Sequence, residues 1–431
     1  MGNEINIKIT PLTGLKGAYK YKEDDISIVA YYIPRSLISN GIKFPYKELS
    51  YSSIYFLCGQ EEFTEKVYVG QARTRNDGTS VISRLHEHDK NTNEHYHLVW
   101  DSAIVVTSTE GSWNSADISD LEQAFESIIP EENCLNSKRP SSGSADKSKT
   151  HTRVEYIKSC LINMGINVFE DDSNIGGELT EEYDDTNGNV EDIRGGTSKI
   201  PEIITPIKIV KRMILELKPE TWNSNTKFID LACKGGEYLR EIYEQLMKND
   251  NLIADYPDPT SRSVHILKNQ IYGIALSTAS RERAVRRLFN FDNNILIVPE
   301  YVVNIKDQNK RSDLIKKIKQ IFGDLDMKFD VVIGNPPYSE ETKAGKNGSV
   351  AIWNSFVETA IEVKPRCICM ITPSRHFTGG MGLTKFRKRW LSDIRIAKLV
   401  HFPVGEEVFH GTRIAGGGGK LLCLGCKKKV Q

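Results

Sequence analysis

Phe228–Arg240 reads FIDLACKGGEYLR, and this stretch decides the fold of the second half of the chain. A short apolar run ends in Asp230, passes through small residues and Gly235-Gly236, and continues as a helical pattern. A strand, a glycine loop and a helix in this order can hold a nucleotide-like ligand, because glycines let the backbone approach it and the helix N-terminus supplies free N–H groups. A glycine-rich turn can also be only a tight turn, so both interpretations stay open here.

Strands and helices alternate on both sides of this stretch. The pattern predicts helices at Ile203–Leu217, Glu237–Met247 and Ser280–Asn290. It predicts strands at Phe228–Leu231, Ile271–Leu276, Ile295–Pro299, Phe329–Ile333 and Ile368–Ile371. Alternation at this spacing is typical of a doubly wound α/β domain with a parallel, Rossmann-like sheet.

The first part of the chain predicts a different, smaller α/β domain. Its strands are expected at Ile26–Tyr32, Ile54–Cys58, Lys66–Gly70 and Ile104–Thr107, and its helices at Val81–His88 and Asp117–Ile129. Between Glu170 and Asp192 there are ten acidic residues and no basic one, which is typical of a solvated tether. We therefore expect one domain at 1–165, an acidic flexible linker at 166–200 and a second domain at 201–431.

The charge of the chain is zero only as a sum. The 431 residues carry 57 Lys+Arg and 57 Asp+Glu. Residues 1–200 hold 20 basic and 32 acidic side chains, a net charge of −12, and residues 201–431 hold 37 and 25, a net charge of +12. Such asymmetry between halves is a hint of nucleic-acid contact.

Several protein classes are excluded by composition. No run of 18 apolar residues exists, so no membrane contact is expected, and the N-terminus lacks the pattern of a signal peptide. Eight cysteines, mostly in apolar runs, fit reduced thiols. These features predict a cytoplasmic protein.

A second motif strengthens the ligand-binding interpretation of the C-terminal domain. Phe329–Tyr338 reads FDVVIGNPPY, an apolar strand that delivers Asn335-Pro336-Pro337-Tyr338 at its carboxyl end. Two consecutive prolines fix φ and remove two backbone donors, so the loop presents carbonyl acceptors at a rigid position. Acceptors beside an aromatic ring suit the exocyclic amine of a planar base turned out of a duplex.

These motifs resemble those of the adenine-N6 DNA methyltransferases, specifically the Eco57I-type restriction–modification methylases. Asn335-Pro336-Pro337-Tyr338 matches the catalytic tetrapeptide of that family. Asp230-x-x-Cys233-Lys234-x-Gly236 is similar to its S-adenosylmethionine motif, with Lys234 in place of the usual glycine, and Thr205-Pro206 resembles the short motif that precedes it. This order resembles the gamma arrangement, in which a target-recognition domain follows.

The resemblance implies a role for each matching residue. Asn335 and the Pro336 carbonyl would accept hydrogen bonds from the adenine amine, Pro337 would hold the loop, and Tyr338 would stack on the flipped base of double-stranded DNA. The residues implied at the cofactor are Thr205, Pro206, Asp230, Cys233, Gly235, Gly236 and Ala275. Ala275 stands where many relatives carry an acid for the ribose hydroxyls, which leaves the ribose partner open.

The N-terminal domain carries its own set of polar residues. Tyr55 and Tyr68 lie on neighbouring predicted strands, Arg84 and His88 are spaced i, i+4 on one helical face, and Glu122 lies on a later helix with Asn136 after it. A phosphodiester nuclease needs a hydroxyl, a cation and a metal-binding carboxylate of this kind. From residue types alone, buried tyrosines and a surface arginine are the better explanation of the pattern.

The ordered set of these six residues resembles the GIY-YIG nucleases, with Ser53 replacing the usual first glycine and Val69 the usual isoleucine. The resemblance implies that one tyrosine helps activate water, Arg84 stabilises charge on the phosphate, and Glu122 holds one Mg²⁺. The chain is then expected to join an endonuclease domain to a methyltransferase domain in restriction–modification.

The end of the chain and one basic helix leave alternatives open. After Ile414–Gly417 the sequence departs from the methylase pattern, so we expect a truncated product whose target-recognition domain is separate or lost. The alternatives are a catalytically inactive DNA-binding remnant and methylation of an amine outside DNA. Four arginines between residues 281 and 287 predict either a solvated face or a phosphate contact.

Overall fold

A computed structural model describes residues 6–23, 26–61, 64–74, 81–93, 97, 99–136, 147–166, 168–169, 178–181, 200, 202–291, 294–341, 349–373, 383–392, 395–401 and 419–424. The chain divides into two compact units. The N-terminal unit is built mainly from residues 6–172 and the C-terminal unit mainly from residues 185–431. Within the described ranges, no helix is long and apolar enough to cross a bilayer.

The N-terminal unit is built on an antiparallel sheet. Its strands are β1 (Asn6–Pro11), β2 (Tyr19–Lys22), β3 (Ile28–Pro34), β4 (Ser53–Glu61), β5 (Thr64–Ala72) and β6 (Trp100–Ser108). They lie in the order β5-β4-β6-β3-β2-β1, and neighbouring strands run antiparallel. The four predicted strands are present, and β1 and β2 are additional. In β2 the tyrosines are buried and the lysines half-buried, the alternation of a sheet with one face on the core.

Four helices accompany this sheet: α1 (Arg35–Ser39), α2 (Val81–Lys90), α3 (Ser115–Ile128) and α4 (Lys147–Asn163). Helix α3 begins at a capping box, in which the Asn114 side chain accepts from the Asp117 amide and the Asp117 carboxylate accepts from the Asn114 amide. Short 3₁₀ turns lie at Lys47–Ser50 and Glu131–Asn133. Tyr55, Leu85 and Trp100 lie in the core between the sheet and helices.

The C-terminal unit has the predicted parallel sheet. Its strands are β9 (Phe228–Asp230), β10 (Ile271–Ile274), β11 (Ile295–Leu296), β12 (Val331–Gly334), β15 (Cys367–Pro373), β16 (Ile396–His401) and β17 (Gly419–Leu424). The order is β11-β10-β9-β12-β15-β17-β16, parallel from β11 to β15, after which β17 and β16 pair antiparallel. The α/β class with a parallel sheet is confirmed.

The remaining elements of this unit cover and connect the sheet. Helices are α5 (Ile207–Ile214), α6 (Glu237–Met247), α7 (Asp250–Asp255), α8 (Pro259–Asn269), α9 (Thr278–Arg287), α10 (Tyr301–Lys306), α11 (Gln308–Ile321), α12 (Trp353–Val363) and α13 (Thr384–Leu391). A 3₁₀ turn lies at Pro219–Thr221. Strands β13 (Ser339–Glu341) and β14 (Ser349–Ala351) form a hairpin directly after the Asn-Pro-Pro-Tyr loop.

Two predicted elements differ from the structure. The expected helix Ile203–Leu217 is a strand, β8 (Glu202–Ile203), followed by α5. Pro206 causes the break, because the residue before a proline favours extended backbone and proline itself suits a helix start. Within the expected tether, β7 (Glu178–Glu181) pairs antiparallel with β8 through Glu178 and Leu179, since backbone pairing does not require an apolar segment.

The interpretation of the four arginines as a surface feature is wrong for three of them. In α9, Arg283, Arg286 and Arg287 are buried, with exposed fractions of 1%, 7% and 4%. Arg283 pairs with Glu202 at 2.9 Å and Arg287 with Glu237 at 3.2 Å. Arg283 and Arg287 neutralise internal carboxylates, and the three buried side chains do not form a solvated face. Residues 182–199 and 414–417, on which parts of the linker and truncation expectations depend, lie outside the described residues.

Candidate active sites

The glycine loop of the C-terminal unit lies at the carboxyl end of β9, as the sequence predicts. Gly236 has φ +81 and begins α6, and a Cβ on it would lie 3.1 Å from the Ala284 backbone, so glycine permits close packing of α6 against α9. The Gly236 amide donates to Cys233 O at 2.6 Å, and the Cys233 amide donates to Ile274 O at 2.9 Å. The loop is thereby tied to β10.

Asp230 is buried at the end of β9 and faces the next parallel strand. Its Oδ1 accepts from the Ala232 amide at 2.9 Å, and burial raises the pKa of its carboxyl. Gly334, the last residue of β12, lies so close that a Cβ there would meet Asp230 Oδ1 at 2.4 Å. The sequence analysis did not select Gly334, although a glycine at the end of an apolar strand is itself a signal of close backbone approach.

Asn335 is held by the chain segment that precedes α5. Its Nδ2 donates to Thr205 Oγ1 at 3.1 Å and to Ile203 O at 3.3 Å, which fixes the orientation of the carboxamide because both partners accept. Asn335 is 1% exposed, and among the described residues its buried acceptor Oδ1 has no hydrogen-bond partner. Buried polar atoms are normally paired, so this oxygen is available to a ligand.

The other predicted residues of this site lie around the same edge of the sheet. Thr205 also accepts from Tyr238 at 3.5 Å. Ala275 follows β10 and is fully buried, and its amide donates to Leu296 O at 2.8 Å. Pro336 and Pro337 are buried and Tyr338 is half-buried against the core. The structure therefore brings the Thr-Pro motif together with the Asn-Pro-Pro-Tyr loop, and the glycine loop follows the neighbouring strand β9.

Glu202 is a buried acid that sequence reasoning missed. It is 3% exposed, and its Oε2 accepts from Ser280 Oγ at 2.5 Å as well as from Arg283. Its Oε1 has no hydrogen-bond partner within the part of the chain that the structure describes. A single acid inside the apolar run before Thr205-Pro206 is the sequence signal that could have indicated it.

In the N-terminal unit, four of the six predicted residues form one cluster. The Tyr55 hydroxyl lies 2.7 Å from His88 Nε2. The Tyr68 ring lies 6.4 Å from the Tyr55 ring and 5.5 Å from the His88 ring, centroid to centroid. Arg84 interacts with the Tyr55 hydroxyl and forms an exposed 2.6 Å ion pair with Glu87. Burial raises the pKa of Tyr55, so its phenol is protonated near neutral pH.

A glycine on the neighbouring strand, Gly70, packs directly against this cluster. It lies inside β5, directly opposite Tyr55 in the register. A Cβ at Gly70 would lie 2.4 Å from the Tyr55 ring carbon Cζ. The missing side chain makes room for the tyrosine ring.

Glu122 and Asn136 have different surroundings. Glu122 is half-buried, its Oε2 accepts from Gln71 Nε2 at 2.7 Å, and burial raises the pKa of its carboxyl. Asn136 forms two 2.8 Å hydrogen bonds to the backbone of Val69, one to its amide and one to its carbonyl, and donates to Glu126 at 2.6 Å. These contacts show Asn136 fixing the chain beside β5.

A metal at Glu122 would have few protein ligands. Among the described residues, no group of three or more His, Cys, Asp or Glu side chains could hold a metal ion. A lone carboxylate nevertheless suits Mg²⁺, which keeps several waters and binds through one or two carboxylates. Glu122 therefore fits a largely hydrated magnesium ion.

Comparisons with known proteins agree with the C-terminal motifs. Residues 269–409 match the family model described as "Eco57I restriction-modification methylase". An "uncharacterized adenine-specific methylase" of Mycoplasma pneumoniae is 27% identical over 279 residues, which is 50% of this chain and 65% of that protein. The chain thus spans about two thirds of the length of this relative.

Two solved structures are also similar. The modification subunit of a putative type I restriction enzyme from Vibrio vulnificus is 14% identical, with a TM-score of 0.39, over 90% of this chain and 71% of that one. The methyltransferase subunit of a type I restriction–modification system from Streptococcus thermophilus is 13% identical, with a TM-score of 0.34, over 51% and 43%. The family-model match and the Mycoplasma relative support an Eco57I-type adenine methyltransferase domain in this chain.

Proposed function

We propose that the C-terminal unit transfers a methyl group from S-adenosylmethionine to the N6 amine of adenine in double-stranded DNA, as part of restriction–modification. One observation carries this proposal. The Asn335 carboxamide is oriented by Thr205 and Ile203 so that its oxygen is buried and finds no hydrogen-bond partner in the described ranges, at the start of a loop whose prolines supply only acceptors. An exocyclic amine is a donor of two hydrogen bonds and satisfies these acceptors.

The residues of the chain would act mainly by position and charge. Asn335 Oδ1 and the Pro336 carbonyl would accept the two amine protons, which raises electron density on the nitrogen and orients its lone pair. Such preorganised acceptors need no rearrangement during the reaction. Tyr338 would stack on the extruded base.

The cofactor would lie at the carboxyl ends of β9 and β10, where open α/β sheets bind ligands. The glycine loop and the buried Glu202 Oε1, which has no hydrogen-bond partner among the described residues, fit a group with hydrogen-bond donors. S-adenosylmethionine supplies the methyl group when bound. Ala275 has no acidic group to bind the ribose hydroxyls. Hydrogen bonds to the ribose would instead come from Glu202, Ser277 and backbone groups.

Transfer of radiolabelled methyl groups to duplex DNA tests this proposal. The full chain is expected to label adenine-containing duplexes, and Asn335→Ala is expected to lose labelling by at least about 100-fold. Asn309→Ala, at an exposed asparagine of α11, is the matched control and should keep full activity. No label above the Asn335→Ala background would identify the chain as a catalytically inactive remnant, and label on RNA or protein alone would indicate methylation of another amine.

We also propose that the N-terminal unit is a metal-dependent endonuclease of the GIY-YIG type. The observation that favours it is the clustering of Tyr55, Tyr68, Arg84 and His88, which come from two strands and a helix. The Tyr55 hydroxyl lies 2.7 Å from His88 Nε2, so in the tautomer whose Nε2 accepts, a proton taken from water would pass through the tyrosine to the imidazole. Arg84 would stabilise charge on the phosphate, and Glu122 would hold Mg²⁺.

Nicking of supercoiled plasmid tests the second activity. Cleavage is expected with Mg²⁺ and not with chelator, and Glu122→Ala should abolish it. Glu131→Ala, at an exposed acid beyond α3, is the matched control. Equal nicking by the wild type and Glu122→Ala would remove Glu122 from this role.

A further inference from the structure

Lys234 occupies a backbone position that suits glycine. Its φ is +48°, in the left-handed region that L-residues with a side chain rarely adopt. Lys234 is nevertheless only 3% exposed, so the side chain turns into the unit beside the glycine loop. Its Nζ donates to the Ile203 carbonyl, the same oxygen that accepts from Asn335 Nδ2. The buried ammonium of Lys234 thus connects the glycine loop to Ile203, whose carbonyl also binds Asn335 of the Asn-Pro-Pro-Tyr loop.

The positive charge of Lys234 is needed to balance the negative charges of the buried acids around it. Three buried acids, Asp230, Glu202 and Glu237, act on it electrostatically. Two of these acids have their own partners, because Glu202 pairs with Arg283 and Glu237 with Arg287. The ammonium of Lys234 donates to a neutral carbonyl and offsets the remaining charge of Asp230. Without Lys234 this part of the site would carry one more negative charge.

We propose that Lys234 sets the charge preference of the cofactor site and weakens binding of the cationic S-adenosylmethionine relative to its neutral-sulfur product, S-adenosylhomocysteine. This inference rests on the proposed methyltransferase function. The two molecules have nearly the same shape and differ in one methyl group and the positive charge on sulfur. Burial lowers the pKa of Lys234 to about 8, so its positive charge predominates at neutral pH, and this charge at the loop disfavours the first molecule more than the second. The protein would therefore be sensitive to accumulation of its own product.

Calorimetric titration of the full chain with each molecule separately tests the inference. The measured quantity is the ratio of the two dissociation constants, in which effects of shape and backbone strain cancel because both ligands share them. Lys234→Met removes the charge at similar length, and Lys234→Gly removes it and the left-handed strain. In both variants, the affinity for S-adenosylmethionine relative to that for S-adenosylhomocysteine should rise by on the order of tenfold. Lys234→Arg keeps the charge and should leave the ratio unchanged.

The outcomes separate this inference from the function on which it rests. A ratio unchanged in Lys234→Met and Lys234→Gly, even if both affinities change together, would mean that Lys234 acts by shape alone and would overturn the inference. Failure of the wild type and all three variants to bind either molecule would overturn the proposed cofactor as well. A shift in Lys234→Arg as large as in Lys234→Met would also contradict a charge effect.

Discussion

Asn335 Nδ2 lies 3.1 Å from Thr205 Oγ1, although 130 residues separate the two in sequence. Both side chains are buried, with exposed fractions of 1% and 2%. The hydroxyl of Thr205 therefore helps to decide which way the Asn335 carboxamide faces. A motif that resembles a cofactor motif in sequence also orients the catalytic candidate.

Thr205→Val should lower kcat for methyl transfer by about fivefold, since one orienting hydrogen bond is worth about 1 kcal/mol. The hydrogen bond from Asn335 to Ile203 O remains, so activity should not vanish. Thr205→Ser retains the hydroxyl and should behave almost as the wild type. Steady-state kinetics on duplex DNA measures the difference, and equal kcat values for the two variants would contradict an orienting role.

Gly334→Ala should destabilise the C-terminal unit by about 1–3 kcal/mol, the usual cost of overpacking a filled interior. The added methyl group would meet the Asp230 carboxylate at 2.4 Å, at a backbone φ of +152°. Gly323→Ala is the matched control, because its φ is +87° and nothing lies within 4 Å of the added carbon. That control carries only the backbone cost of about 1 kcal/mol. In thermal unfolding, Gly334→Ala should therefore unfold at a lower temperature than Gly323→Ala.

Arg283→Met should destabilise the fold by about 3–5 kcal/mol, because it leaves the buried Glu202 carboxylate without its counter-charge. Replacing both residues, as Glu202→Met with Arg283→Met, should cost clearly less than the sum of the two single changes. Lys316→Met breaks an exposed ion pair with Asp313 and serves as the control with hardly any effect. Additive single and double effects in calorimetric unfolding would show that the pair is not coupled.

The Mg²⁺ concentration needed for half-maximal nicking should fall as the pH rises from about 5 to about 7. Burial raises the pKa of the Glu122 carboxyl, so its protonated form, which cannot bind the ion, persists to higher pH than in an exposed glutamate. The hydrogen bond from Gln71 opposes this rise in the pKa of Glu122. Gln71→Leu should therefore raise that pKa further and move the curve of half-maximal Mg²⁺ concentration against pH to higher pH. Identical curves for the wild type and Gln71→Leu would contradict Glu122 as the titrating ligand.

The predictable elements were those whose signal is local. The strand–loop–helix at Phe228–Arg240 follows from an apolar run, two glycines and a helical period, and α6 begins and ends where the pattern predicts. The strand before Asn335-Pro336-Pro337-Tyr338 is equally predictable from the sequence, because the prolines end it. The helix predicted from Ile203 was less predictable, because its hydrophobic period continues through the Thr205-Pro206 break.

Other features depended on residues far apart in the chain. The burial of Arg283 could not be predicted from α9 alone, since a basic helix face is stable inside only where another segment supplies acids, here Glu202 and Glu237. The need for glycine at position 70 likewise depends on Tyr55 in the neighbouring strand.

By itself, the sequence of this protein determined the parallel sheet of the C-terminal unit, the two sets of candidate site residues and the resemblance to adenine methylases. Each of these follows from the order of residues that are close together in the chain. Only the tertiary structure decided that Thr205 orients Asn335, that Tyr55 contacts His88, and that the Lys234 ammonium is buried beside the glycine loop and bonded to Ile203 O. Hydrogen bonds and ion pairs act over a few ångströms, and only the folded chain brings these partners within that distance.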